Sequence, residues 1–338
     1  MSSSAPRAGV LTDRRARGLA VHVAILMIAA STTGACGRAR EPGGPPTTTL
    51  WLGGDVHLGD GDEADRRLAA LAPLLGGAFG VVNLEGPVTE RAAREGELFN
   101  HPARLAGLRR AGVHAVGVAN NHARDGGDGA PAATVATLEH AGLSPFGGLA
   151  GARVLERDGV RVVLTAHDLA GGALDPAALA ALDADLTAAR GRGDVLIATF
   201  HVTAPPSYLP PAEAVTAVAH ARAAGAAVIA VHGRHSLARV ERDATSVTAW
   251  GLGNLLFACA CTDEDDALLL RVTVAAHGLV DAEVIPVTAG LRGAAALPAG
   301  DPALAYELLA SLRSTPLAPA GARARLLPAA VSGAPRAE

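Results

Sequence analysis

Five short apolar runs in this chain each end on polar residues, and that arrangement constrains the fold more than any other feature of the sequence. Leu50-Trp51-Leu52 leads into Gly54-Asp55-Val56-His57, and Val81-Val82 leads into Asn83-Leu84-Glu85. Residues 114–119 (HAVGVA) lead into Asn120-Asn121-His122. Residues 195–200 (VLIATF) end on His201, and 228–231 end on His232-Gly233-Arg234-His235. Uniformly apolar runs of this length read as strands buried on both faces. Stretches of helical pattern lie between them, at 65–75, 102–111, 130–141 and 212–224. That order predicts an α/β domain. From 238 to 286 helices drop out, and β-like runs at 246–257, 267–275 and 279–287 predict a second, more antiparallel sheet.

The polar residues fall at the C-terminal ends of the buried runs, where open α/β sheets gather their sites. Together they supply two carboxylates, an amide oxygen and several imidazoles, a mixture that suits Zn, Mn or Fe and suits Ca poorly. Asp55 and His57 stand at i and i+2, so a strand points both toward one cavity. Singly each motif is weak: His201 after a strand reads as a capped core histidine as readily as a ligand, and Glu85 alone reads as a helix cap. It is the joint pattern that points to metal. The histidines outside it receive no role, except that His167-Asp168 follows an apolar run and is a candidate to line a pocket.

Composition removes several function classes. All 29 basic residues are arginine, which excludes a Schiff-base or P-loop lysine. A net charge of -4 and 3% aromatic residues argue against a nucleic-acid partner, which needs a basic stripe and stacking platforms. No G-x-S-x-G elbow and no G-x-G-x-x-G fingerprint occurs. Of three cysteines, Cys259 and Cys261 sit two apart in an apolar stretch and read as small core or edge thiols, with a redox or metal role as the alternative.

The third, Cys36, belongs to a different pattern. Arg7, Arg14, Arg15 and Arg17 precede an apolar run at 18–30, and small residues then lead to Gly34-Ala35-Cys36. This is the physical signature of a secretory signal. Its run is shorter than the roughly 20 residues a stable membrane span needs. Residues 1–36 therefore predict an export signal whose end resembles a lipobox, with Cys36 as the lipidated residue and Thr33 where an aliphatic residue is usual. The expected location is the cell envelope, outside the cytoplasmic membrane, with a lipid anchor as the membrane contact. Residues 37–47 read as a flexible linker, and 48–290 as the functional domain. Residues 291–338 read as a C-terminal helix followed by an Ala/Pro-rich tail, poorly ordered from about 315.

The segments GDVHLGDG (54–61), VVNLEGPVT (81–89), GVHAVGVANNHARDGG (112–127), TVATLEHAGLSPFGG (134–148), AAVIAVHGRH (226–235) and GLGNLLF (251–257) resemble the CapA family of poly-γ-glutamate capsule synthesis, itself similar to metallophosphoesterases. The resemblance implies a four-layer metallophosphatase-like sandwich, two mixed β-sheets flanked by helices. It also implies that Asp55 and His57 begin one metal site, that Glu85 takes a bridging position, and that Asn121 ligates a second metal. His201, His232 and His235 would complete the shells, and His122 would donate a proton to a leaving group. Asn120 and Arg234 are the residues expected to face substrate. This chain departs from the family where His201 is followed by Val202-Thr203, where the last motif reads His-Gly-Arg-His, and at Leu255 after the late Gly-Asn.

The expectation is an exported hydrolase using one or two divalent ions, Zn, Mn or Fe, on a phosphoester or a γ-amide of an anionic exopolymer. The alternative is a non-catalytic envelope protein that binds or helps export such a polymer. A net-negative chain repels a polyanion unless its arginines cluster, which weighs against the alternative.

Overall fold

The computed structural model describes residues 44–328, apart from 61, 62, 93, 170, 171 and 173. The expected signal, Cys36 and most of the expected linker lie outside the described residues. Among the described residues no helix is long and apolar enough to cross a membrane.

The chain runs β1 (Thr47–His57), α1 (Ala64–Arg67), α2 (Ala72–Leu75), β2 (Phe79–Leu84), α3 (Leu105–Arg110), β3 (Val113–Gly117), α4 (Ala130–His140) and β4 (Ser144–Phe146). It continues through β5 (Arg153–Arg157), β6 (Val160–Asp168), α5 (Pro176–Arg190), β7 (Val195–His201), α6 (Ala212–Ala223) and β8 (Ala226–His232). Next come β9 (Val240–Arg242), β10 (Val247–Ala249), β11 (Asn254–Phe257), β12 (Asp266–Ala275) and β13 (Gly278–Thr288). The chain closes with β14 (Gly290–Leu291), β15 (Leu297–Pro298), α7 (Pro302–Ser311), β16 (Leu317–Ala320) and β17 (Arg323–Leu326).

Two mixed sheets form. One has the order β16-β17-β13-β12-β1-β2-β3-β4, with β11 beside the end of β1. The other has the order β5-β6-β7-β8-β10-β9. Strand alternation decides the layers, because successive side chains take opposite faces. Leu50 and Leu52 of β1 pack with Val162, Leu164, Ile197 and Val228 of the other sheet, so the two sheets meet face to face. Trp51, between those leucines, points outward to Leu71, Leu75, Leu105 and Leu108 of the first helical layer. On the far side Val163, Leu196 and Ile229 pack against Leu182 and Leu186 of α5 and Val218 of α6. The result is the helix–sheet–sheet–helix sandwich that the resemblance implies.

Two expectations change. The antiparallel run after residue 238 does not make a sheet of its own. Strands β12 and β13 extend the first sheet through antiparallel pairing of β12 with β1, while β9 and β10 close the second. Between 315 and 328 the chain is ordered: Leu317–Ala320 and Arg323–Leu326 form a hairpin, and Ala324 and Leu326 are fully buried in the core between the sheets.

Candidate metal centre

The parallel strands β1, β2, β7 and β8 end side by side, in two sheets that face each other, and so bring their terminal polar residues to one place. Gly54 and Gly233 are required by the closeness of the chains there. A Cβ on Gly54 would stand 1.9 Å from the Gly253 carbonyl oxygen, and one on Gly233, at φ +90°, would stand 2.3 Å from the Val202 carbonyl oxygen. His235 follows in the left-handed region at φ 56°, a conformation that costs energy outside glycine and clusters at functional sites.

Glu85 is the centre of the cluster. It is 2% exposed, and its Oε1 lies 3.8 Å from His201 Nε2, 3.9 Å from His122 Nε2 and 4.0 Å from His235 Nε2. Its Oε2 is buried and unpartnered among the described residues. Asp55, 1% exposed, lies beside it, with Oδ1 3.4 Å from His232 Nδ1 and Oδ2 3.5 Å from His235 Nδ1. Asn83 Nδ2 donates to Asp55 Oδ1 at 2.8 Å, and the Gly233 N–H donates to Oδ2 at 2.9 Å. Ligand atoms from Asp55, Glu85 and His235 fall within 4.8 Å of one another. Asn121 Oδ1 meets His201 Nε2 at 2.7 Å.

The electrostatics fit a cation. Burial, then the neighbouring charges of Asp55 and Asp125, pushes the Glu85 carboxyl well above the usual carboxylate range. Burial also acts upward on Asp55, yet the close His232, with the charges of His235 and His201, holds it well below that range. Burial pushes His201 down to about 4, with Asp55 opposing and His232, His235 and His122 adding to the shift. A neutral imidazole and an orphaned buried carboxylate oxygen are what a divalent ion needs from its ligands.

Some predicted residues make contacts with the backbone. His57 is buried with both ring nitrogens engaged: Nε2 pairs with the Phe99 carbonyl at 3.0 Å, and Nδ1 accepts from the Cys259 N–H at 3.2 Å. The register of β1 shifts around Asp55 against both β2 and β11, so the simple i, i+2 rule fails there. Arg234 is 7% exposed and donates to the carbonyls of Leu209 and Pro205, which ties it to the 203–210 loop. Asn120 donates to the Leu84 carbonyl at 2.9 Å and accepts from the Gly86 N–H at 3.3 Å, and so braces the end of β2. Cys259 and Cys261 are joined as a disulfide instead of standing as thiols.

Other residues here escaped the sequence reading. Asp125 Oδ2 accepts from His122 Nδ1 at 2.7 Å. Asn254 Oδ1 meets His235 Nδ1 at 2.9 Å. Asn100, fully buried, donates to the Glu85 and Gly86 carbonyls and accepts from the Leu58 N–H, and so locks the loops after β1 and β2 together. The signals were available for two of these: Asp125 lies one turn beyond His122, and Asn254 closes the late Gly-Asn pair.

Beside the cluster lies a cavity of about 680 Å³ that shares Asn121 with it and is lined by His167 and Asp168, the pair singled out in sequence.

The family model described as bacterial capsule synthesis protein PGA_cap matches residues 49–259. No curated protein matches the chain. Among solved structures, a hypothetical protein from Thermus thermophilus is 14% identical, with a TM-score of 0.48 over 71% of this chain and 98% of that one. A candidate 5'-nucleotidase from Staphylococcus aureus, in complex with alpha-ketoglutarate, is 10% identical, with a TM-score of 0.46 over 75% of this chain and 55% of that one.

Proposed function

The chain belongs to the bacterial capsule synthesis protein family PGA_cap, and from that premise we propose that it is an exported, metal-dependent hydrolase of the capsule machinery. Its substrate is a phosphoester or γ-amide bond of an anionic exopolymer. The observation that carries this reading is Glu85, a nearly inaccessible carboxylate with three imidazole nitrogens within 4.0 Å of Oε1 and no partner for Oε2 among the described residues.

Asp55, Glu85 and His235 would hold a divalent ion, with His201, His232 and Asn121 adjacent for a second. A bound ion of this kind polarises the bond under attack and lowers the pKa of a water to near neutrality. The chain supplies the rest. His122, half-buried and aimed at Glu85 through Nε2, is the group placed to give a proton to the leaving atom. Asp125 fixes the orientation of that imidazole through Nδ1, as a carboxylate does for a catalytic histidine elsewhere. Asn254 does the same for His235, and Asn83 for Asp55. The charged segment before residue 18, the apolar run to 30 and Gly-Ala-Cys36 support export with a lipid tether at Cys36.

The test is metal content by elemental mass spectrometry on the full chain purified without chelators, beside a His235→Ala variant. One to two equivalents of Zn, Mn or Fe per chain, lost in the variant, are expected. A chain that carries none and takes up none on addition overturns the hydrolase reading.

A further inference from the structure

The cavity beside the cluster has a floor that asks for a particular kind of ligand. Thr165 and His167 stand at i and i+2 near the end of β6 and share one side of that strand. Thr165 is 3% exposed, yet its Oγ1 has no hydrogen-bond partner among the described residues, and the same holds for the buried Nε2 of His167. Unpartnered buried polar atoms are uncommon and costly, and two of them on residues that line one cavity point to a ligand that supplies the missing bonds. The imidazole stacks on Phe200, with ring centroids 5.7 Å apart, which holds its plane in place.

The walls narrow the class further. Apart from the His167 imidazole, which already stacks on Phe200, the lining holds no aromatic ring among the described residues, so it offers a nucleobase little to stack on. The charged groups are two arginines, Arg124 and Arg192, and two aspartates, Asp168 and Asp185, so the cavity favours neither an anionic nor a cationic tail. Arg124 already pairs with Asp128, and Arg192 donates to the Ala152 carbonyl at 2.8 Å. Glycine and alanine form much of the remaining wall, with Pro87, Val118, Pro131, Val135 and Leu149 as its larger apolar members. A volume of about 680 Å³ lies within the usual range for small-ligand pockets.

We propose that this cavity binds an acyclic polyol, the hydroxyl-bearing portion of a phosphate ester whose phosphate lies at the metal cluster. The proposal rests on the hydrolase reading above and names the substrate of that site. Asn121 joins the two compartments, since it lines the cavity and contacts His201. Hydroxyl groups donate and accept equally, so they satisfy both a threonine hydroxyl and either tautomer of an imidazole.

Titration calorimetry on the full chain, purified without chelators, tests this with inorganic phosphate, glycerol 3-phosphate, a glycerol-phosphate oligomer and adenosine monophosphate. Glycerol 3-phosphate or the oligomer should bind at least about tenfold more tightly than phosphate, the gain expected of one or two hydrogen bonds. Thr165→Val should remove about tenfold of that affinity and leave phosphate binding unchanged. Ala188→Phe, on the exposed cavity wall of α5, should block both polyol esters and spare phosphate, and it keeps the test alive if the strand variant folds poorly. Phosphate binding with no gain from the polyol, or tighter binding of the nucleotide, overturns the inference alone. Absence of phosphate binding overturns the metal-centre reading and this inference with it.

Discussion

His122 and Asp125 are joined by a 2.7 Å contact between Nδ1 and Oδ2, and this leaves His122 Nε2 on the side of Glu85. The Leu98 N–H also donates to Asp125 Oδ2 at 2.8 Å, so the carboxylate is held in place from the backbone. On the proposed hydrolase reading, Asp125 acts through His122. Asp125→Asn should lower kcat by about 10- to 100-fold, a typical cost of losing the partner that orients an imidazole, with KM and metal content little changed. Steady-state kinetics on a chromogenic phosphoester, read beside elemental analysis, decides it. An equal loss of bound metal would place Asp125 in the coordination shell instead.

His57 makes the opposite prediction. Its two ring nitrogens meet the backbone at Phe99 and Cys259, and it sits against Phe257 at 5.5 Å between ring centroids. Replacement by alanine orphans a buried carbonyl and a buried N–H, at a cost of about 1–3 kcal/mol each. Denaturant unfolding should show that loss while metal stoichiometry stays at the wild-type value. Loss of metal with stability preserved would return His57 to the ligand set.

The pH dependence of stability follows from the buried groups. His57 and His201 both lie near 4 in the folded protein, well below the ordinary histidine value of 6.5. A depressed histidine gives stability that is complete above 6.5 and is lost as pH falls from there to about 4. Glu85 has the reverse sign: its raised carboxyl costs stability as pH climbs above the ordinary glutamate value of 4.5. A divalent ion beside Glu85 and His201 removes the second cost and competes with protons on the imidazole. The increase in Tm on adding Zn, Mn or Fe should therefore widen between about pH 5 and pH 8. Calorimetry of metal-free and metal-loaded protein across that range checks it, and a constant increment would count against Glu85 as the ligand.

What the sequence disclosed and what it withheld have physical reasons. The strands that carry Asp55, Glu85, His201 and His232 are apolar on both faces and end in polar residues, a pattern that survives without knowledge of the partner strand. The sheet to which β12 and β13 belong was not legible, because periodicity states which face is buried and not which neighbour is paired. The backbone partners of His57 were not legible because the strand rule assumes a regular register, and β1 shifts register at Asp55. The contacts of Arg234 were not legible, because the sequence shows a charged residue between two candidate ligands and not the 203–210 loop that folds onto it. The closing hairpin was hidden by composition. Pro319 and the alanines of β16 read as loop, yet β16 is an edge strand, where a missing N–H costs little.

That hairpin is held by Arg242, and the clamp gives a test of whether the C-terminal segment is part of the fold. Arg242, in the second sheet and 8% exposed, donates to the Leu326 carbonyl at 2.6 Å, to the Val280 carbonyl at 3.0 Å and to Asp281 Oδ1 at 3.0 Å. One guanidinium therefore ties the second sheet to both β13 and β17 of the first. Arg242→Ala leaves two carbonyls and a carboxylate short of a donor, although Arg325 still reaches Asp281 at 2.7 Å. The expected loss is about 2–3 kcal/mol, chiefly from the Leu326 and Val280 carbonyls left without a donor. Removing residues 315–338 should cost at least as much, since it strips fully buried Leu326 and Ala324 from the core and takes one carbonyl acceptor from Arg242. Neither change touches the metal cluster, so the folded fraction should keep its metal content. Unfolding midpoints unchanged by the truncation would show the hairpin to be dispensable.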